Sequence, residues 1–220
     1  YTDGFAILAC TEYHRASGDP RALEVALETF RQILPRLERW DAMQTAPYEI
    51  PAGMKAHGVS MIYSHVFDAL SEVVPDPRIA EAAVYHSREV TDHYLRPETG
   101  LLLEYIRLDN RTADTPAGRT VVPGHAIESA WFQIRQLEKR NDRERIGRMV
   151  RAIRRHFDAG WDPQEGGLFL GLDAEGRSPV HWKFHDTKVW WPATEALYAL
   201  LKAHTLCGEA SEEVARLSAW

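Results

Sequence analysis

A phrase that recurs along the chain constrains its fold more than any single residue does. An apolar helical stretch runs into a turn of the Asp-Pro kind, and a second helical stretch rich in Ala and Arg follows. It reads FAILACTEYHRASGDPRALEVALETFRQIL, then VSMIYSHVFDALSEVVPDPRIAEAAVYHSREV, then HAIESAWFQIRQLEKRNDRERIGRMVRAIRRHF; a fourth copy opens with ATEALYALLKAHTLCGEASEEVARLSAW. The turns fall at Asp19, Asp76 and Asp142, 57 and 66 residues apart, and Gly208 marks the fourth about 66 further on. Thr99-Gly100 and Gly166-Gly167 each precede a short alternating apolar run, as a hairpin or extended loop would.

Units of this kind cannot bury their apolar faces alone, so they must stack or close on one another. A closed double ring of six helical hairpins, the all-α (α/α)6 barrel, would need on the order of 360 to 400 residues at this period. With 220 residues the chain holds about three and a half units. The expectation is one partial barrel domain over residues 1–220, a fragment lacking segments at both ends. Pro47, Pro51 and Gly53 mark the longest irregular link, an inter-hairpin loop rather than a domain boundary.

At 45% hydrophobic residues the chain can bury a sizeable core. A net charge of -6 argues against a nucleic-acid partner, whose affinity comes from clustered Lys and Arg. The locally basic RQLEKRNDRERIGRMVRAIRR carries mixed charge at helical spacing and reads as a solvated helix face. No run of 18 apolar residues encodes a membrane span. Cys10 and Cys207 lack metal-ligand spacing and read as buried free thiols of a cytoplasmic protein. No Gly-rich phosphate loop, nucleophile elbow or zinc motif occurs, so neither a cofactor nor a metal is expected.

Chemistry should gather where inner helices begin, because helix N-termini at one rim of such a ring line its cleft. Two phrases stand there. In VVPGHAIESAW, His125 and Glu128 are three residues apart and share a helix face. The pair could cap the helix, form a metal fragment, or be a base with its orienter. In KVWWPATE, Trp190 and Trp191 cannot both point one way, and Glu195 follows. Aromatic faces beside carboxylates and a histidine suit a sugar, whose CH-rich faces stack on indole while its hydroxyls bond to charge. HWKFHDTK reads as a strand with His181, Lys183 and His185 on one face, a poor metal site without another element. His14, His57, His65, His86, His93, His156 and His204 show no partner pattern and read as surface or core residues.

GRTVVPGHAIESAWF, DPQEGGLFLGLDAEGR and KVWWPATEALYALL together resemble the N-acylglucosamine 2-epimerase family, which includes cellobiose 2-epimerases and aldose-ketose isomerases. The resemblance covers the whole chain and implies the (α/α)6 barrel. It also implies that His125 is one of two histidines serving as general acid/base on an open-chain sugar, with Glu128 tuning it. Trp131, Trp191, Glu195 and, more loosely, Tyr1 match positions that line the sugar cleft, and Arg119 is a candidate to stabilise an enolate oxygen. The family's second histidine lies beyond Trp220, so the 220 residues alone are expected to be inactive or barely active. Ile62 stands where the cellobiose enzymes and isomerases carry a further histidine, which points to an N-acyl-hexosamine. The alternatives are an aldose-ketose isomerase using the same base, and a non-catalytic binding protein. A glycoside hydrolase would need paired carboxylates, for which Glu128 and Glu195 are the candidates. The partner expected is a small sugar, and the sequence leaves a homodimer open.

Overall fold

A computed structural model describes residues 1–40, 43, 49–208 and 210–220. Pro47 of the irregular link lies outside the described residues. Four helical hairpins follow one another: α1 (Thr2–Ser17) with α2 (Pro20–Leu37), α3 (His57–Ser71) with α4 (Pro77–Arg88), α5 (Pro123–Lys139) with α6 (Arg143–Gly160), and α7 (Trp190–Cys207) with α8 (Ser211–Ala219). The fourth hairpin is present rather than half present, although α8 has only nine residues. The first helices pack side by side in the order α1, α3, α5, α7, and each carries its second helix behind it.

Local chemistry sets the hairpin turns. Asp19 and Asp76 cap α2 and α4, each accepting from the backbone N–H of the arginine two residues on, and Pro20 and Pro77 open the helices where no N–H is needed. Asp142 caps α6 through the Arg145 N–H. Gly208 ends α7 in the left-handed conformation.

The 66-residue period survives in three dimensions. Strands β1 (Met54–Ala56) and β2 (Tyr105–Arg107) pair antiparallel with Met54 opposite Arg107; β3 (Thr120–Val121) and β4 (Leu172–Asp173) pair with Thr120 opposite Asp173, each partner 66 residues later. The glycine-bearing inserts close with Leu95 bridged to Leu102 and Trp161 to Leu168, again 66 apart. A turn of π-helix, Glu89–Tyr94, extends α4, so that it ends 66 residues before α6 does.

Helix α3 is buried on nearly every side, as a helix apolar all round should be. Phe67 and Leu70 are wholly enclosed, and each such side chain contributes about 1.5–3 kcal/mol. Helices α1 and α7 bury one stripe each and leave Phe5, Tyr13, Leu197, Tyr198 and Leu201 exposed.

Two expectations need correcting. Residues 181–189 form turns and irregular chain rather than a strand: Phe184 stands at a positive φ and its carbonyl accepts from the Thr187 N–H, while the His185 and Thr187 carbonyls accept from Gly171 and Leu170, themselves outside any strand; the alternation in HWKFHDTK imitates a strand pattern. Cys207 is exposed and Cys10 half-buried; both are free thiols, but neither is a core residue.

Candidate active site

The N-termini of α3 and α5 meet the inserts around a cavity of about 460 Å3. Helix α5 begins at Pro123 after an extended Val122 that makes no side-chain cap. This places His125 in the first turn and Glu128 in the second, so Glu128 is not a capping acid. Both line the cavity.

The partner of His125 is Glu104, which lies just before β2. His125 Nδ1 stands 3.2 Å from Glu104 Oε2, and His57 Nδ1 stands 3.7 Å from the same oxygen. Glu104 is almost fully buried and firmly placed: its backbone N–H donates to the Thr120 carbonyl, and its carbonyl accepts from the His57 N–H, both at 2.8 Å. Backbone hydrogen bonds beside the strands therefore fix a carboxylate against an imidazole 21 residues on in sequence.

Burial alone would lift the Glu104 carboxyl, but His125 and His57 more than offset this and bring it down to about 2. Burial works against a charged His125, while the charge and hydrogen bond of Glu104, with the charge of Glu128, outweigh it and hold the imidazole above its ordinary value. Burial, followed by the charges of Glu195 and Glu104, pushes Glu128 up to about 7 although His125 pulls the other way. Two carboxyls flanking one imidazole thus titrate far apart, one ionised throughout and one half-protonated near neutrality.

Aromatic rings close around the histidine. Trp191 lies 5.3 Å from the His125 ring, centroid to centroid and tilted by 31°, and Trp182 meets it edge-on at 5.8 Å. Gly124 allows the first approach: a Cβ there would sit 2.6 Å from the Trp191 ring. Trp182 is buried, and its Nε1 donates to Tyr105 Oη at 3.1 Å. Tyr1 lines the cavity too, and burial with the Glu104 charge raises its hydroxyl well above the usual value. Ile62, Met61, Phe5 and Leu170 make an apolar side. Trp190, by contrast, is 77% exposed.

Of the residues expected from sequence, His125, Glu128, Trp191 and Tyr1 come together. Trp131 and Glu195 do not line the cavity; the Trp131 Nε1 donates to Glu195 Oε2 at 2.7 Å, each satisfying the other between α5 and α7. Arg119 is not brought there either. It ends the 3-10 turn Ala117–Arg119, and its guanidinium is taken up by Asp173 on β4 at 2.9 Å and Asp114 at 2.7 Å. Sequence reasoning missed Glu104, His57, Tyr105 and Trp182. The readable signal was an acidic residue inside the apolar run LLLEYI, an expensive placement unless a partner waits. Among the described residues, no group of three or more His, Cys, Asp or Glu could hold a metal ion, and no helix is long and apolar enough to cross a membrane.

The N-acylglucosamine 2-epimerase (GlcNAc 2-epimerase) family model matches residues 1–220, and the chain belongs to that family. It is 28% identical over 216 residues to the N-acylglucosamine 2-epimerase of Bos taurus, covering 95% of this chain and 50% of that protein. It is 23% identical to the cellobiose 2-epimerase of Ruminococcus albus, covering all of this chain and 58% of that one. The chain spans about half the length of the curated relatives it matches. Among solved structures, a sugar epimerase from a ruminal bacterium superposes with a TM-score of 0.78 at 19% identity, over 99% of this chain and 57% of the other. The arc of four hairpins is accordingly a partial (α/α)6 barrel.

Proposed function

We propose that the full-length protein is a sugar 2-epimerase that interconverts N-acylglucosamine and N-acylmannosamine, and that residues 1–220 supply one partial barrel domain of a six-hairpin toroid. The observation that carries this is the His125–Glu104 pair at the wall of a sugar-sized, indole-lined cavity. With Nδ1 committed to Glu104, Nε2 is the nitrogen left for substrate. In the open-chain sugar, Nε2 takes the C2 proton; the C–H electrons form the C1–C2 double bond and the aldehyde oxygen takes the charge. Glu104 remains ionised and stabilises the imidazolium. Glu128, half-protonated near neutrality, can donate a hydrogen bond to a substrate oxygen. The proton returns from the opposite face, from a second acid expected in the part of the full-length protein beyond these 220 residues.

Ile62 and Met61 favour the N-acyl substrate, because an acyl methyl gains from an apolar wall where a hydroxyl would lose a hydrogen bond. The reaction needs no cofactor. The free thiols of Cys10 and Cys207 suit the cytoplasm. The test is C2 deuterium exchange into N-acetylmannosamine by the full-length protein in heavy water, with His125→Ala beside it. Exchange lost in the variant supports the reading. Deuterium delivered to C1 would make it an aldose-ketose isomerase. Exchange with cellobiose or mannose alone would overturn the N-acyl preference, and no exchange with any of these sugars would leave a binding protein.

A further inference from the structure

His57 is wholly buried, and neither ring nitrogen makes a hydrogen bond within ordinary reach. An imidazole enclosed in this way usually meets a backbone or side-chain partner, because an unsatisfied polar group in the interior is costly. His156, the other enclosed histidine nearby, shows the usual outcome: its Nε2 accepts from the Leu102 N–H at 2.8 Å and its Nδ1 donates to the Ala152 carbonyl at 2.7 Å. His57 instead faces Glu104 Oε2 at 3.7 Å, the atom that His125 holds at 3.2 Å.

Its place is not accidental to the chain path. The His57 N–H is spent on the Glu104 carbonyl, so the first residue of α3 is anchored to the residue whose carboxylate it faces. The Tyr94 ring packs edge-on at 5.6 Å from the other side and keeps the imidazole from turning away.

We propose that His57 is a positioning residue that shares the Glu104 carboxylate with His125 and so sets how strongly that carboxylate holds the base. This rests on His125 being the base of the proposed epimerase. With its proton on Nδ1, a neutral His57 sets an N–H dipole 3.7 Å from Oε2, beyond a hydrogen bond yet close enough to draw off part of the charge that would otherwise face His125. Without it the carboxylate would bind the protonated imidazole more tightly, and a base that holds its proton too well returns it poorly. The ionisable groups around the two rings are Glu104 before β2, His125 and Glu128 on α5, Tyr94 in the π turn, His156 on α6 and Tyr1 ahead of α1. Tyr105 follows Glu104 on β2, and the nearby Lys55, over the Tyr94 ring, is paired with Glu89; among the described residues no lysine or arginine pairs with Glu104, and His57 is the group placed to moderate it.

The experiment compares His57→Met, which fills the space without an N–H, with His57→Asn, which keeps one, in the full-length protein. The titration midpoint of His125 is followed by NMR of the labelled imidazole, assigned by its loss in His125→Ala. His57→Met should raise the midpoint by about half a unit to one unit and His57→Asn should restore much of the difference; the acid limb of kcat/KM for C2 exchange should move the same way. A midpoint that is unchanged or lowered in a folded His57→Met protein overturns the proposal. If the Met variant does not fold, His57→Leu and His57→Gln serve as the same pair. Because the NMR midpoint needs no turnover, a protein that exchanges no sugar would sink the epimerase reading while still deciding whether His57 moderates the pair.

Discussion

The unit built on α3 and the unit built on α5 share a backbone plan yet differ in what they place at the cavity. Their strands pair in the same register, and their inserts close with the same bridge, 66 residues apart. At matched positions along that period, Glu104 answers to Leu170 and Ile62 to Glu128, and all four line the cavity. His125 answers to Val59 in the earlier unit and to Trp191 in the later one. The repeat therefore supplies a set of equivalent cavity-facing positions, and chemistry arises from filling them unequally. The proposed catalytic pair is itself split, the histidine from one unit and its carboxylate from the insert of the other.

The strongest way to break this comparison is to make the two units alike. Glu104→Leu copies Leu170 into the earlier unit and should lower C2 exchange by roughly 100-fold or more, the range in which a positioned acid/base pair contributes. Burial of His125 would then be opposed by Glu128 alone, so its titration should move down and carry the acid limb of the pH profile with it. Retained activity with an unmoved limb would dissociate Glu104 from the base.

Glu128→Gln should cost about tenfold in rate, and it sharpens the contrast between the two carboxyls. The raised Glu128 binds more protons folded than unfolded between its ordinary value near 4.5 and about 7, so the native protein should lose stability as pH rises through that window. The lowered Glu104 does the reverse: its contribution is present above the ordinary carboxylate range and fades as pH falls towards about 2. Denaturant curves at several pH values should show the first slope vanish in Glu128→Gln and the second persist.

Smaller effects probe the shared frame. Gly100 and Gly166 both turn their inserts at positive φ, and alanine at Gly100 should cost about 1 kcal/mol. Gly166→Ala should cost about 1 kcal/mol more, since its methyl must displace the Trp220 ring. Equal losses in thermal or denaturant unfolding would show that Trp220 yields freely. Least of all, Asp76→Ala and Asp142→Ala should each remove about 1 kcal/mol or less, and by similar amounts, because each deletes one capping bond in equivalent hairpins.

The fold was legible because its signals are local. Aspartate-capped turns, glycine-bearing inserts and helical periodicity are each written within a few residues, and repetition at offsets of 57 to 66 residues made them additive. The site was only partly legible. His125, Glu128 and Trp191 announce themselves through phrases at helix starts, whereas Glu104 reaches His125 through long-range backbone bonds to His57 and Thr120 that no local pattern encodes. Arg119 misled because closeness in sequence is not closeness in space: a 3-10 turn and β3 carry it away to Asp173 before α5 begins. Trp131 and Glu195 misled differently, since each has the chemistry of a sugar contact but finds the other first.

The tilted contact of Trp191 with His125 gives the protein an optical signal of its own. An imidazolium this near an indole drains its excited state more effectively than a neutral imidazole, so Trp191 emission should brighten as His125 loses its proton. A sugar seated between cavity and indole should alter the same emission. The difference between native and Trp191→Phe spectra isolates that one ring from the other six tryptophans, so occupancy and proton position can both be followed by light without labelling the substrate.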